Sequence, residues 1–172
     1  MKLLFTILLS CAVCSVSFPQ ARFATTEYQK QVKPAVVTEL PFPEKTINNA
    51  IEDKLGKMGY KPASTKGFTV YKGVRLPEVG NDLYDLYFMV DRISRKDKGN
   101  STVTLMLSKG FESFVGDSSD SRAYANSKDY LNGLREVVAA YDLEQQIPGQ
   151  EDAVKKATKK NEKLVGEAAD PI

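Results

Sequence analysis

Three apolar, β-prone runs between Gly67 and Lys109 constrain this chain more than any other feature. They are Phe68–Leu76, Leu83–Ser94 and Ser101–Ser108, separated by breaks rich in Gly, Pro and Asn. Successive strand residues alternate across a sheet. In the first run, Phe68, Val70 and Val74 are therefore expected to point one way, with Thr69 and Tyr71 opposite. In the second, Tyr84, Leu86, Phe88 and Val90 share one face, and Leu83, Asp85, Tyr87, Met89 and Asp91 the other. Apolar residues on both faces mark a central strand. In the third, Val103, Leu105 and Leu107 alternate with Thr102, Thr104 and Met106. The turn at Leu76–Asn81 and the polar connection at Arg95–Asn100 make these runs antiparallel neighbours.

Ala35–Leu40 is a candidate first strand, stopped by Pro41 and Pro43. Glu44–Met58 reads as a helix, because Ile47, Ala50, Ile51, Leu55 and Met58 recur at steps of three and four. Pro43 suits the first turn, Glu44 complements the helix dipole, and Gly59 and Pro62 form the stop. Lys109–Ser127 is rich in Gly, Ser and Asp and reads as irregular. A second helix is expected from about Lys128 to Gln146, with Leu131, Leu134, Val138 and Tyr141 on its inner face. Pro148-Gly149 is expected to interrupt it, and Glu151–Ala168 resumes as a charged helix.

These elements predict a two-layer α+β domain. Its sheet is mostly antiparallel with about four strands, helices pack on one face, and a charged helix follows at the C-terminus. The expected organisation is a signal peptide over residues 1–17, a linker over 18–34, the α+β domain over 35–147, and a charged helix or tail over 148–172.

Met1–Ser17 has the layout of a secretory signal: Lys2, an apolar run from Leu3 to Val16, and small residues Ser15 and Ser17 before Phe18. The run is shorter than the roughly 20 residues that span a bilayer. Both cysteines of the chain, Cys11 and Cys14, lie within it. Leu8-Leu9-Ser10-Cys11 loosely resembles a lipobox. The short apolar run before Cys11 and the bulk of Leu9 favour ordinary cleavage over lipid anchoring at Cys11. Cleavage after Ser17 leaves no cysteine and therefore no disulfide, so the fold rests on packing alone. The expected location is the periplasm or cell envelope, with no transmembrane helix in the mature chain.

With no histidine in 172 residues, Ser-His-Asp chemistry and His-ligated metals are excluded. Without mature cysteine, thiolate ligands and nucleophiles are excluded too. A net charge of +2 gives no global field for nucleic acid. No catalytic residue, metal ligand or cofactor is assigned. Glu78, Asp82, Asp85 and Asp91 are the acids from which a carboxylate pair would come, but Asp85 and Asp91 lie about 20 Å apart at strand rise. Gly116-Asp117-Ser118 has no base beside it and reads as a turn or helix cap. Asp117 with Asp120 lacks the ligand order of a calcium loop. Tyr71, Tyr84 and Tyr87 are the candidate aromatic platform for a ligand, set against the commoner role of strand aromatics in packing the core or pairing across strands.

Lys155, Lys159 and Lys163 are the candidate partner-facing lysines of the charged helix, in a stripe with Lys156 and Lys160, although the interspersed Glu151, Asp152, Glu162 and Glu167 argue for a solvated helix face instead. Beside them runs a three-four seam: Ala140, Leu143, Ile147, Gln150, Val154, Ala157, Asn161, Leu164 and Ala168. Gln150 and Asn161 are polar and Ala157 is small. The seam therefore predicts only weak coiled-coil-like self-association, and an appendage that orders on an envelope protein or glycan.

Taken together, Lys66-Gly67-Phe68-Thr69-Val70-Tyr71-Lys72-Gly73-Val74, Tyr84-Asp85-Leu86-Tyr87-Phe88, Ser108-Lys109-Gly110 and Phe114-Val115 resemble an uncharacterised family of exported Bacteroidota proteins. The resemblance covers most of the mature chain. It implies a signal peptide, a compact α+β domain and a lysine- and glutamate-rich C-terminal helix. It implies no known activity and carries over no catalytic residues. The helix here stops at Ile172, sooner than a long coiled coil would.

The expected function is that of an exported envelope protein acting as a non-enzymatic binding or scaffolding module. The rival is a small carboxylate-dependent hydrolase acting on envelope glycans. Export predicts that N-terminal sequencing of the mature protein starts at Phe18; an intact Met1 on the recovered protein contradicts it.

Overall fold

The computed structural model describes residues 20–168, with the side chains of all of these except 148–153 and 161–168. The expected signal segment and Cys11 lie outside the described residues. The chain is α+β: one antiparallel sheet in the order β1-β2-β6-β5-β4-β3, with helices on one face. The strands are β1 (Arg22–Tyr28), β2 (Gln31–Leu40), β3 (Ala63–Thr65), β4 (Phe68–Arg75), β5 (Leu83–Arg92) and β6 (Ser101–Ser108). The helices are α1 (Glu44–Lys57) and α2 (Asp117–Ala168).

The sheet therefore has six strands rather than about four. β1 and the start of β2 occupy the stretch expected to be a linker, and β3 is a short extra edge. α2 starts at Asp117, not near Lys128, and it continues across Pro148-Gly149. Its one non-helical residue is Asp120 (φ −160°, ψ 81°), which separates an opening turn from the long helix.

The helix-covered face holds the larger core. Ile47, Ala50, Ile51 and Leu55 of α1 pack with Leu86, Phe88 and Val90 of β5 and Val103, Leu105 and Leu107 of β6. α2 adds Ala123, Tyr130, Leu131, Leu134 and Val138. The periodic inner face of α1 is thus the expected one, except that Met58 lies past the helix end and is exposed. Pro43 sits at the N-cap, not in the first turn, and its carbonyl accepts the first helical bond from Ile47 N–H (3.1 Å). Gly59 at φ 90° is the left-handed stop, and the Tyr60 N–H returns to the Leu55 carbonyl (3.0 Å).

A bulge changes the phase of β4. Its register with β5 shifts between Tyr71 and Val74, at a left-handed Gly73 (φ 61°) whose N–H donates to Asp85 Oδ1 (2.8 Å). One extra residue moves every later side chain to the other face. Val74 consequently joins Tyr71 in the larger core, while Phe68 and Val70 stay on the opposite side.

That opposite side carries a second core of Tyr28, Ala35, Phe68, Val70, Tyr87 and Met106, although no helix among the described residues covers it. Its closure starts at Pro34. β2 pairs with β6 only from Val36 to Leu40, and its earlier residues pair with β1 alone. Proline has no N–H to give to a ladder. Continuing the β2–β6 register would set Pro34 opposite Leu107. Instead the Leu107 carbonyl accepts from Val115 N–H (2.8 Å), and Ser108 bridges to Phe114. The returning chain occupies the edge that β2 vacates, and the β1–β2 hairpin bends over the open face. In a flat sheet β1 and β4 would lie roughly 19 Å apart, four strand spacings of about 4.8 Å. The rings of Tyr28 and Phe68 are nevertheless 5.7 Å apart, edge to face, and Tyr28 also meets Tyr87 (5.6 Å) and Phe114 (5.3 Å).

Gly116 is the point of closest approach. A Cβ there would lie 2.7 Å from Pro34 Cγ. Gly116→Ala is expected to cost about 1–3 kcal/mol through this overlap, and Leu105→Ala about 2–5 kcal/mol through the cavity it leaves in the larger core. Urea denaturation measures both. Wild-type stability in Gly116→Ala would mean that the loop does not seat against Pro34.

Candidate functional site

The three tyrosines do not form a ligand platform. Tyr71, Tyr84 and Tyr87 are all at most 5% exposed. Tyr71 and Tyr84 lie in the helix-side core, whereas Tyr87 lies in the aromatic cluster on the other face. Burial pushes the Tyr71 and Tyr87 hydroxyls up to about 12, as expected of phenols packed for their apolar bulk. The strand alternation that separated Tyr84 from Tyr87 holds, and all three follow the commoner reading of strand aromatics as core residues.

The most developed polar cluster lies where β6 hands over to α2. Lys109 Nζ bridges Asp82 Oδ2 (2.9 Å) and Asp120 Oδ2 (2.8 Å). Asp120 Oδ1 accepts the Ala123 N–H (3.0 Å), which makes Asp120 the N-cap of the long part of α2. Ser119 Oγ meanwhile accepts the Gly116 N–H (2.8 Å). A cleft of about 240 Å³ opens beside this junction, with Gly80, Asn81, Asp82, Tyr84, Asp120 and Arg122 among its walls.

The electrostatics of this junction suit an anchor. Hydrogen bonds donated to Asp120 and Asp82 hold the Lys109 ammonium well above its ordinary value, whereas a nucleophilic lysine needs a lowered one. The same contact with Lys109, followed by the Ala123 N–H, holds the Asp120 carboxyl below the usual carboxylate range. A glycosidase acid needs a raised value. Among the other acids, Asp85 accepts from Gly73, and Glu78 and Asp91 are exposed. Among the described residues, no group of three or more His, Cys, Asp or Glu is placed to hold a metal ion.

The exposed candidates lie on α2. Its last fully buried side chain among the described residues is Val138. Beyond the half-buried Tyr141 and Asp142, every described side chain from Leu143 to Ile147 and from Val154 to Lys160 is exposed. That set includes Leu143 at 61%, Ile147 at 47% and Val154 at 64%. Lys155 and Lys159 are therefore on the surface, and the side chain of Lys163 lies outside the described residues. Because α2 runs through Pro148-Gly149, Leu143 and Ile147 stay in helical phase with Val154. No helix among the described residues is long and apolar enough to cross a membrane.

No protein-family model, curated protein or solved structure matches this chain. The surface and its chemistry carry the functional argument.

The Asp120 junction makes a pH-dependent prediction. A carboxyl whose folded value is depressed contributes stability above its unfolded value, about 3.9, and loses it as pH falls through the folded value. Asp120→Asn keeps the cap acceptor and removes the charge. Its melting temperature should sit slightly below wild type at pH 7, since an exposed ion pair contributes little, and the two should converge in acid. Asp120→Ala also loses the cap and should be about 0.5–2 kcal/mol less stable throughout. Thermal melts from neutral to strongly acidic pH check this; an Asn–wild-type gap that persists in acid contradicts it.

Proposed function

We propose that this chain is an exported cell-envelope protein that works as a non-enzymatic binding or scaffolding module, with the distal half of α2 as its contact surface. One observation carries the reading: Leu143, Ile147 and Val154 are large apolar residues on one helix, and all are exposed. Full burial of such side chains is worth about 1.5–3 kcal/mol apiece. The domain forgoes that gain three times along one helix, whereas its other exposed large apolar residues, Phe23, Val32, Met58, Leu83, Ile93 and Phe111, are scattered over several strands and loops. Lys155 and Lys159, with Lys163 next in the stripe, flank the seam with positive charge and suit an acidic envelope protein or glycan.

The seam supports only weak pairing with a second copy, because Gln150, Ala157 and Asn161 occupy its middle. A small carboxylate-dependent hydrolase is less well supported. Asp82 and Asp120 share one lysine, and the Asp120 carboxyl is held ionised rather than protonated.

Truncation after Pro148 tests the reading. The melting temperature should change little, since no described side chain beyond Asp142 is even half buried, while recovery on isolated envelope material should fall. A loss of several kcal/mol on truncation would place the segment in the folding core. Unchanged envelope recovery would remove the arm from the binding surface.

A further inference from the structure

The loop from Lys109 to Phe114 holds two consecutive left-handed residues that are not glycine, Phe111 (φ 50°) and Glu112 (φ 56°). Such conformations persist only where the surroundings impose them. Here they do. Lys109 N–H donates to the Ser113 carbonyl (3.0 Å), and Ser113 N–H to the Gly110 carbonyl (3.0 Å). Glu112 Oε1 accepts from the Tyr28 hydroxyl (3.0 Å) and from Gln29 Nε2 (2.5 Å). The outcome is an aromatic ring held in solvent: Phe111 is 107% exposed, while Phe114 three residues on packs against the aromatic cluster. A loop that only returned the chain to α2 would take glycine at these positions, as it does at Gly110 (φ 96°).

Lysines surround the same patch. Lys66 Nζ lies 5.9 Å from the Tyr28 ring centre and Lys33 Nζ 5.6 Å from that of Phe114. Lys30 follows Gln29 at the hairpin tip and is exposed. None of these three ammonium groups is in an ion pair among the described residues. Near the loop, Glu112 is engaged by Tyr28 and Gln29 and Asp85 by Gly73, while Asp91 of the same face lies exposed toward the far end of β5. Lys33 and Lys66 thus hold their ammonium groups over ring faces, contacts worth little at an exposed site, and carry no acid partner among the described residues.

We propose that this face is a membrane-contact surface: Phe111 enters the interfacial layer of an anionic phospholipid bilayer while Lys30, Lys33 and Lys66 meet the headgroup phosphates. The combination of an apolar anchor and basic residues is what interfacial binding requires. The surface belongs to the sheet and its loop, so the proposal does not rest on the α2 arm.

Co-sedimentation of the full chain with vesicles tests it, using phosphatidylcholine alone and phosphatidylcholine mixed with phosphatidylglycerol. The readout is the difference between variants, so contact made by any other segment cancels. Wild type should partition more strongly onto the anionic vesicles. Phe111→Ser should lower partitioning on both by about tenfold or more. Joint Lys33→Gln and Lys66→Gln should lower it on the anionic vesicles alone, by roughly fivefold per lysine. Phe111→Gly relieves the left-handed strain, so its melting temperature should rise by about 2–4 °C while vesicle binding is lost. Equal partitioning of Phe111→Ser and wild type, or no partitioning by wild type, overturns the proposal. So does a melting temperature that falls in Phe111→Gly, which would make the ring structural. Self-association in solution that depends on Phe111, with no vesicle binding, assigns the patch to a second copy and overturns it too.

Discussion

The architecture depends on the break in the β2–β6 ladder at Pro34. A sheet whose central strands β5 and β6 carry apolar residues on both faces must cover both. α1 and α2 cover one. On the other, release of β2 ahead of Val36 lets the β1–β2 hairpin bend inward and set Tyr28 against Phe68, Tyr87 and Phe114. The vacated edge is not left open, because Val115 N–H takes the Leu107 carbonyl. One residue without a backbone donor thus accounts for the second core, for the route of the loop into α2, and for the requirement that residue 116 have no Cβ.

The parts of this fold that were legible in sequence are those with a long period. β5 and β6 alternate over eight or more residues, and α1 carries four buried residues at helical spacing with a glycine stop. β1 was not legible because Arg22–Tyr28 holds four exposed and two half-exposed positions and ends on its one buried side chain, Tyr28. β3 has three residues, too few to show a period. The opening of α2 was hidden by composition. Its inner face there is made by Ala123 and Ser127, small residues in a stretch of Ser, Asp and Asn that reads as loop. The useful signal was Asp120 ahead of that face, a cap residue in cap position.

The candidate site was legible in composition but not in geometry. The absence of histidine removed imidazole chemistry from consideration, and composition marked the C-terminal segment as highly charged. What they did not convey is which tyrosines meet. Pairing of Tyr71 with Leu86 puts Tyr71 and Tyr84 on one face and leaves Tyr87 on the other. Nor did they show that Lys109 would reach both Asp82, 27 residues earlier, and Asp120. A contact over that separation is set by the return of the chain along β6, which local patterns do not encode.

Where a folded chain leaves large apolar groups in water is informative only when its core is otherwise complete. Here both faces of the sheet are closed, and no buried side-chain nitrogen or oxygen among the described residues lacks a hydrogen-bond partner. Leu143, Ile147 and Val154 on α2 and Phe111 on its loop are therefore not waiting on a better-packed version of the same domain. The helix holds the first group beyond the last residue that packs, and a hydrogen-bonded loop holds Phe111 outward in a conformation that glycine would adopt more easily. An exposed side chain on a flexible tail needs no account. One fixed by backbone strain on a rigid loop does, because relaxation toward the protein was available and the bonds of Glu112 to Tyr28 and Gln29 oppose it.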